Sequence, residues 1–203
     1  MTKNALIIFV KNPIEGQVKT RLAKTIGNSA AVTVYKQLLQ HTFSITKNLV
    51  VDKFVFYADS INNNDLWLSN IYQKQQQKGY DLGERMKNAF ESVFNSGYEK
   101  TIIIGSDCYE LTQQILEEAF DELTIADAII GPCNDGGYYL LGTKQLIPEL
   151  FDNIQWSTDE VLMATKKVLH DLQLQFELLP TLNDVDDEAS LPPELQLFIN
   201  CPL

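Results

Sequence analysis

Short apolar runs recur along the chain with helix-length amphipathic segments between them. Ala5 to Lys11 is apolar up to its last residue and is closed by the breaker pair Asn12-Pro13, which predicts a buried strand. Phe54 to Ala58 and Thr101 to Gly105 have the same character, and each is followed by a polar stretch. Between them, Asn28 or Ser29 opens a helical run through Leu49. Leu82, Met86, Ala89, Phe90 and Val93 then recur at helical spacing until Gly97 stops them. Strands alternating with helices predict an α/β fold, with a mostly parallel central sheet covered on both faces in three α/β/α layers.

The second half keeps this rhythm with one change. Asp127 to Pro132 and Tyr138 to Leu141 read as strands flanking Asn134-Asp135-Gly136-Gly137, a hairpin or tight-connection signal. Ser157-Thr158-Asp159-Glu160 before Val161 and Leu162 predicts a capping box, in which the Ser157 hydroxyl and Glu160 carboxylate satisfy first-turn amides of a helix running to about His170. A strand is expected at Leu174 to Leu179, and a short surface helix after Pro192-Pro193.

Composition narrows the classes. The 203 residues are 45% hydrophobic and contain no polar tract long enough for a linker, so one domain over 1–203 is expected. The early apolar run is too short for a signal-peptide core or a membrane span, which makes the cytoplasm the expected location. Cys108, Cys133 and Cys201 are odd in number and lack CxxC spacing, so free thiols are expected. A formal net charge of -11 argues against nucleic-acid partners and leaves small anionic ligands open. The charge is uneven: residues 1–24 hold five Lys or Arg against Glu15 alone, a local +4.

Four segments carry candidate chemistry. Lys11 to Leu22 leaves a strand, passes Gly16 and enters a helix carrying Lys19 and Arg21, an arrangement suited to phosphates; without GxxxxGK[ST] it is no Walker loop. Asp107 follows a buried strand at the edge where doubly wound sheets bind ligands, and suits either a hard cation such as Mg2+ or Mn2+ or the bland task of capping the helix that begins near Thr112. Asp184 and Asp186 alternate around Val185, so both carboxylates share a face if the backbone is extended. Asp135 in the paired-glycine turn could orient or deprotonate a hydroxyl, or simply make the turn. His41 and His170 lack partners at ligand spacing and read as structural, and Trp156 could border a pocket.

Taken in order, six blocks resemble a bacterial family of GT-A-like nucleotide-diphospho-sugar transferases that includes arsenosugar-biosynthesis-type glycosyltransferases. They are Phe9 to Pro13 with Gly16 to Leu22; Asp81 to Met86; Gly105-Ser106-Asp107; Gly131-Pro132 with Asp135 to Gly142; Trp156 to Asp159; and Leu179 to Leu182 with Asp184 to Asp186. The resemblance spans nearly the whole chain. It implies Lys11, Lys19 and Arg21 near phosphates, with Gln77, Gly83 and Arg85 near base and ribose. It also implies Asp107 as the principal metal ligand, Asp186 as the second, and Asp135, Gly136, Gly137, Tyr138, Trp156, Ser157 and Asp159 facing the sugar or acceptor.

One departure stands out. The family continues after Gly-Ser/Thr-Asp with a proline, whereas Cys108-Tyr109-Glu110-Leu111 has none. The expected activity is transfer of a sugar from a nucleotide-diphospho-sugar to a small acceptor with Mg2+ or Mn2+, and Asp135 as acceptor-side base. An alternative is nucleotidyl transfer from a triphosphate with release of pyrophosphate, because the amino-terminal cations also resemble those of 2-phospholactate guanylyltransferases, although the LxGGxGxR opening is missing. A third reading is nucleotide-sugar binding without turnover.

Overall fold

A strand buried on both faces leaves no place for polar side chains at its centre, and Ala5, Leu6, Ile7 and Ile8 are fully buried in the computed structural model, which describes residues 3–199. They lie in β1 (Asn4–Val10), a central strand of one seven-stranded sheet. The others are β2 (Asp52–Tyr57), β3 (Tyr72–Gln76), β4 (Lys100–Ile104), β5 (Ala128–Pro132), β6 (Tyr138–Thr143) and β7 (Phe176–Leu178), in the spatial order β3-β2-β1-β4-β6-β5-β7. Only β6 runs against its neighbours, pairing antiparallel with β4 and β5, while every other pairing is parallel.

Side chains alternate across the sheet and divide the core in two. Leu6, Ile8, Val10, Val55, Ile102 and Ile104 meet Leu22 of α1 (Thr20–Ile26), Val34 and Leu38 of α2 (Asn28–Thr46), and Leu116 and Phe120 of α4 (Gln113–Glu122). Ala5, Ile7, Phe54, Phe56 and Ile103 meet Met86, Phe90 and Val93 of α3 (Leu82–Asn95) and Leu169 of α5 (Val161–Asp171). The result is the expected three-layer α/β/α architecture with a mostly parallel sheet. A short α6 (Pro193–Gln196) adds Leu195 to the first cluster.

Several sequence expectations change. The run from Asn28 stops at Thr46 rather than Leu49, and α1 precedes it, separated by Gly27 at φ 84°. The strand expected over Leu174 to Leu179 is confined to Phe176–Leu178. β3 has no counterpart among the strands that the apolar runs predict, because Tyr-Gln-Lys-Gln-Gln is polar. Only Tyr72 is buried in it, and it lies at the sheet edge.

The capping box does not form. Ser157 adopts a left-handed φ of 64°, the Thr158 hydroxyl donates back to Gln155 O, and Glu160 is the helix cap without a side-chain bond. The orphan amide finds its partner elsewhere: Leu162 N–H donates to Gly136 O at 2.8 Å, so the hairpin backbone replaces the box. Asp107 does not cap α4 either, because Thr112 does, accepting from Ile115 N–H.

Candidate functional site

Parallel strands all deliver their loops to one edge, and that edge collects most of the singled-out residues. The loop leaving β1 passes Gly16 at φ 76° and ends at Lys19, itself left-handed at φ 46°. That conformation costs an L-residue roughly 1 kcal/mol, and it aims the side chain inward. Lys19 Nζ lies 3.0 Å from Asp107 Oδ2 and 3.1 Å from Asp186 Oδ1, with its side chain only 5% exposed. Burial alone would lower the pKa of this ammonium, but the two carboxylates outweigh it and hold it above its ordinary value. Arg21 is exposed and lies 3.9 Å from the other oxygen of Asp186. Thus Lys19, Arg21, Asp107 and Asp186, distant along the chain, converge.

The loop lacking the family's proline builds this cluster. Asp107 O accepts from Val185 N–H at 3.0 Å, Cys108 bridges Asp184 across two antiparallel segments, and Glu110 Oε2 accepts from Asn183 N–H at 2.9 Å. Segment 107–110 is therefore zipped to 183–185. Asp184 is turned toward the buried Cys133 thiol, and burial followed by the Asp107 charge pushes its carboxyl up to about 7. Asp186, not Asp184, shares Lys19 with Asp107.

Cys108 and Cys133 are free and buried, and Cys201 lies outside the described residues. Burial, then the Asp184 charge, pushes Cys108 up to about 12 and Cys133 higher, so neither is a nucleophile at neutral pH.

Two buried connections hold the edge together, and the sequence carried no sign of either. Tyr35 of α2 accepts from Lys11 N–H at 2.9 Å and meets Ser106 Oγ at 3.2 Å, tying the exit of β1 to that of β4. Asn12 Nδ2 donates to Asp59 Oδ1 and Ser60 O, tying β1 to the loop after β2. Lys11 itself is exposed.

The remaining residues form a second group. Trp156 packs against Gly83, where a Cβ would come 2.0 Å from its Nε1, and meets the Tyr138 ring edge-on at a centroid distance of 6.4 Å. Gly136, at φ 86°, lies so close to the Asp159 backbone that a Cβ would sit 2.1 Å from its carbonyl oxygen. Asp135 is exposed at the hairpin tip and accepts from Gly137 N–H at 2.9 Å, and Ser157 and Asp159 are exposed. The Tyr138 hydroxyl points inward beside Thr165, buried without a hydrogen-bond partner, so this residue meets the edge only through its ring.

Gln77 and Arg85 are engaged locally: Gln77 Nε2 donates to Phe56 O at 3.0 Å and Arg85 Nε to Gly79 O at 3.1 Å. Asn134 Nδ2 donates to Asn183 Oδ1 at 2.7 Å, joining the hairpin to the loop that carries Asp184 and Asp186.

Asp107 and Asp186 offer hard oxygen donors around one point, the set that Mg2+ or Mn2+ takes when substrate phosphates and water complete its shell. Among the described residues no group of three His, Cys, Asp or Glu forms a full protein cage. The pair supplies two of the oxygens such an ion would take, at a point where Lys19 Nζ now lies. A shallow depression of about 610 Å³ bordered by Lys100 and Lys144 lies at the opposite edge of the sheet, away from this chemistry. No helix among the described residues is long and apolar enough to cross a membrane.

A family model described as an uncharacterized protein conserved in bacteria (DUF2064) matches residues 41–158. A crystal structure from Desulfovibrio desulfuricans G20, provisionally named a nucleotide-diphospho-sugar transferase, is 33% identical, with a TM-score of 0.85 over 92% of this chain and 84% of that one. The fold is shared at greater distance with CMP:2-keto-3-deoxy-manno-octonic acid synthetase complexed with CTP (10% identity, TM-score 0.59, 97% and 98% covered). It is also shared with 4-diphosphocytidyl-2C-methyl-D-erythritol synthase from Anaerococcus prevotii (7% identity, TM-score 0.59, 98% and 95% covered). No curated protein matches the chain. With more than half of its residues inside the family model, the chain belongs to the DUF2064 family.

Proposed function

We propose that this protein is a cytoplasmic transferase that takes a sugar from a nucleotide-diphospho-sugar and gives it to a small acceptor, as in the arsenosugar-type enzymes its sequence blocks resemble. The observation that carries the reading is the convergence of Lys19, Arg21, Asp107 and Asp186 at the carboxyl edge of the sheet. The name of the 33%-identical neighbour supports it.

In this reading Lys11, Lys19 and Arg21 bind the diphosphate, while Gln77 and, in the first turn of α3, Gly83 and Arg85 lie beside base and ribose. An Mg2+ or Mn2+ ion held by Asp107 and Asp186 would neutralise charge on the departing diphosphate. The acceptor hydroxyl oxygen bonds to the anomeric carbon as the bond from that carbon to the diphosphate oxygen breaks. The nucleoside diphosphate leaves with the bonding electrons, and the hydroxyl proton passes to Asp135, which sits exposed on the hairpin between the acceptor-side loops.

Thermal stabilisation by a panel of nucleotide sugars, with and without Mn2+, tests the donor site. A subset should raise the melting temperature more with Mn2+, and Asp107→Ala should abolish that increment. An unchanged increment in the variant rejects the metal assignment, and a panel without any effect rejects the donor site.

Nucleotidyl transfer is the second reading, favoured by the fold shared with the two cytidylyl-type synthases. There an acceptor oxygen attacks the alpha phosphate of a triphosphate and pyrophosphate leaves. Pyrophosphate release on mixing triphosphates with sugar phosphates would select it.

A further inference from the structure

Negative charge is concentrated on one half of the carboxyl edge of the sheet. The segments bordering its β4-β6-β5-β7 half are residues 105–112, 133–137, 153–160 and 179–192. They contain nine Asp or Glu and not one Lys or Arg. The segments bordering the β3-β2-β1 half balance their charges, with Lys11, Lys19, Arg21, Lys78 and Arg85 against Glu15, Asp59, Asp65, Asp81 and Glu84.

Cations that reach toward the acidic half are already paired, Lys19 with Asp107 and Asp186, Arg21 with Asp186 at 3.9 Å, and Lys87 of α3 with Asp152 at 3.0 Å. Helix starts offer little compensation. The Leu162 amide of α5 is taken by Gly136 O and the Ile115 amide of α4 by Thr112. Asp135, Asp159 and Glu160 stand exposed on the two segments that touch at Gly136.

We propose that the acceptor is a small hydroxyl compound bearing no anionic group, and that a cationic one such as an amino alcohol is preferred. The inference rests on the donor-site reading above, since it is the nucleotide that claims Lys11, Lys19 and Arg21. A phosphate monoester carries about -1.5 to -2 charges at neutral pH. Sites that recognise phosphate present Arg, Lys or free amides to it, and this half presents carboxylates. Like charges brought together across a binding surface cost several kcal/mol, enough to make a phosphorylated acceptor a poor substrate. The same excess of carboxylates weighs against nucleotidyl transfer onto a sugar phosphate.

A charge-matched acceptor series tests this with the full chain, Mn2+ and whichever nucleotide sugar stabilises it most. Glycerol, glycerol 3-phosphate and 2-amino-1,3-propanediol share a skeleton and differ in charge, and acceptor-dependent release of nucleoside diphosphate is the readout. The amino diol should exceed glycerol 3-phosphate by about tenfold or more, and Asp159→Lys should narrow that ratio. Glycerol 3-phosphate as the fastest acceptor overturns the proposal.

Should none of the three turn over, cationic and anionic nitroxide probes decide by their broadening of backbone amide signals. The cationic probe should broaden residues 133–137 and 155–160 more than the anionic one, and the reverse order sinks the proposal. Failure of the donor reading shows separately, as the absence of any thermal shift with nucleotide sugars.

Discussion

At the residue scale, Lys19 has two competing partners. Its ammonium lies 3.0 and 3.1 Å from the carboxylates proposed to hold the cation, so ion and ammonium claim the same oxygens. Lys19→Met removes the charge and keeps the apolar stem. Isothermal titration should then show Mn2+ binding alone tightening by about tenfold, because two carboxylates face each other without a counter-ion. Nucleotide-sugar binding should weaken by a similar factor, since the cation released to the phosphates is missing. Equal and parallel changes in both affinities would contradict competition.

Asp184 tests the same cluster through pH. Its native pKa of about 7 lies above the roughly 3.9 of an unfolded aspartate, so the native state holds the proton longer. Stability from this group is therefore complete below about pH 4 and is lost as pH rises through about 7. Asp184→Asn removes that slope. In urea titrations with a chelator present, the variant should gain on the wild type by about 2 kcal/mol between pH 4 and pH 8, a figure discounted from about 1.4 kcal/mol per pKa unit for partial exposure. A difference that does not vary with pH would show that Asp184 is ionised throughout.

At the scale of elements, two glycines fasten the loop before α5 to the rest of the edge. At Gly136, φ of 86° and a backbone carbonyl at 2.1 Å both oppose a side chain. Gly136→Ala should cost about 2 kcal/mol or more in urea unfolding, the strained backbone and the displaced loop acting together. Gly83→Ala sets two effects against each other. Alanine favours the first turn of α3 by up to about 1 kcal/mol, but its Cβ would strike Trp156 at 2.0 Å. The collision involves a ring packed against Tyr138 and prevails locally, so the readout is Trp156 rather than overall stability. Its emission should shift to the red and acrylamide quenching should rise, while Trp67, buried in the opposite core cluster, stays unchanged.

These contacts also explain which elements could be read from sequence. β1, β2, β4 and the hairpin announce themselves because their identity is local: apolar runs, breakers and paired glycines. The capping box failed because the Leu162 amide is satisfied by Gly136, a partner 26 positions away that no local pattern encodes. β3 was invisible for the complementary reason, since one buried Tyr72 and a neighbouring strand suffice to make a polar edge strand.

For the molecule as a whole, the site was legible as residue types and not as contacts. The cationic start, the acid after β4 and the acids after β7 were readable, and the fold's connectivity brings their loops to one edge. Tyr35, Asn12 and Asp59 were not, because a buried hydroxyl or amide looks like any other until its partner is known.

The same organisation predicts a stability gradient. β1 pairs on both sides, is buried on both faces and joins the two core clusters, whereas β3 and β7 are edge strands with partly exposed side chains. Native-state hydrogen exchange should find the amides of β1 and β4 opening only with global unfolding, and those of β3 and β7 opening by sub-global routes at least about 2 kcal/mol lower. The outer strands lead into Gln77 and Arg85 after β3 and into Asp186 after β7, whereas Lys19 and Asp107 leave the rigid centre. A nucleotide sugar that bridges the two should therefore raise protection at the edges more than at the centre. Equal protection of all seven strands without ligand would mean that the acidic loop is as firmly built as the core.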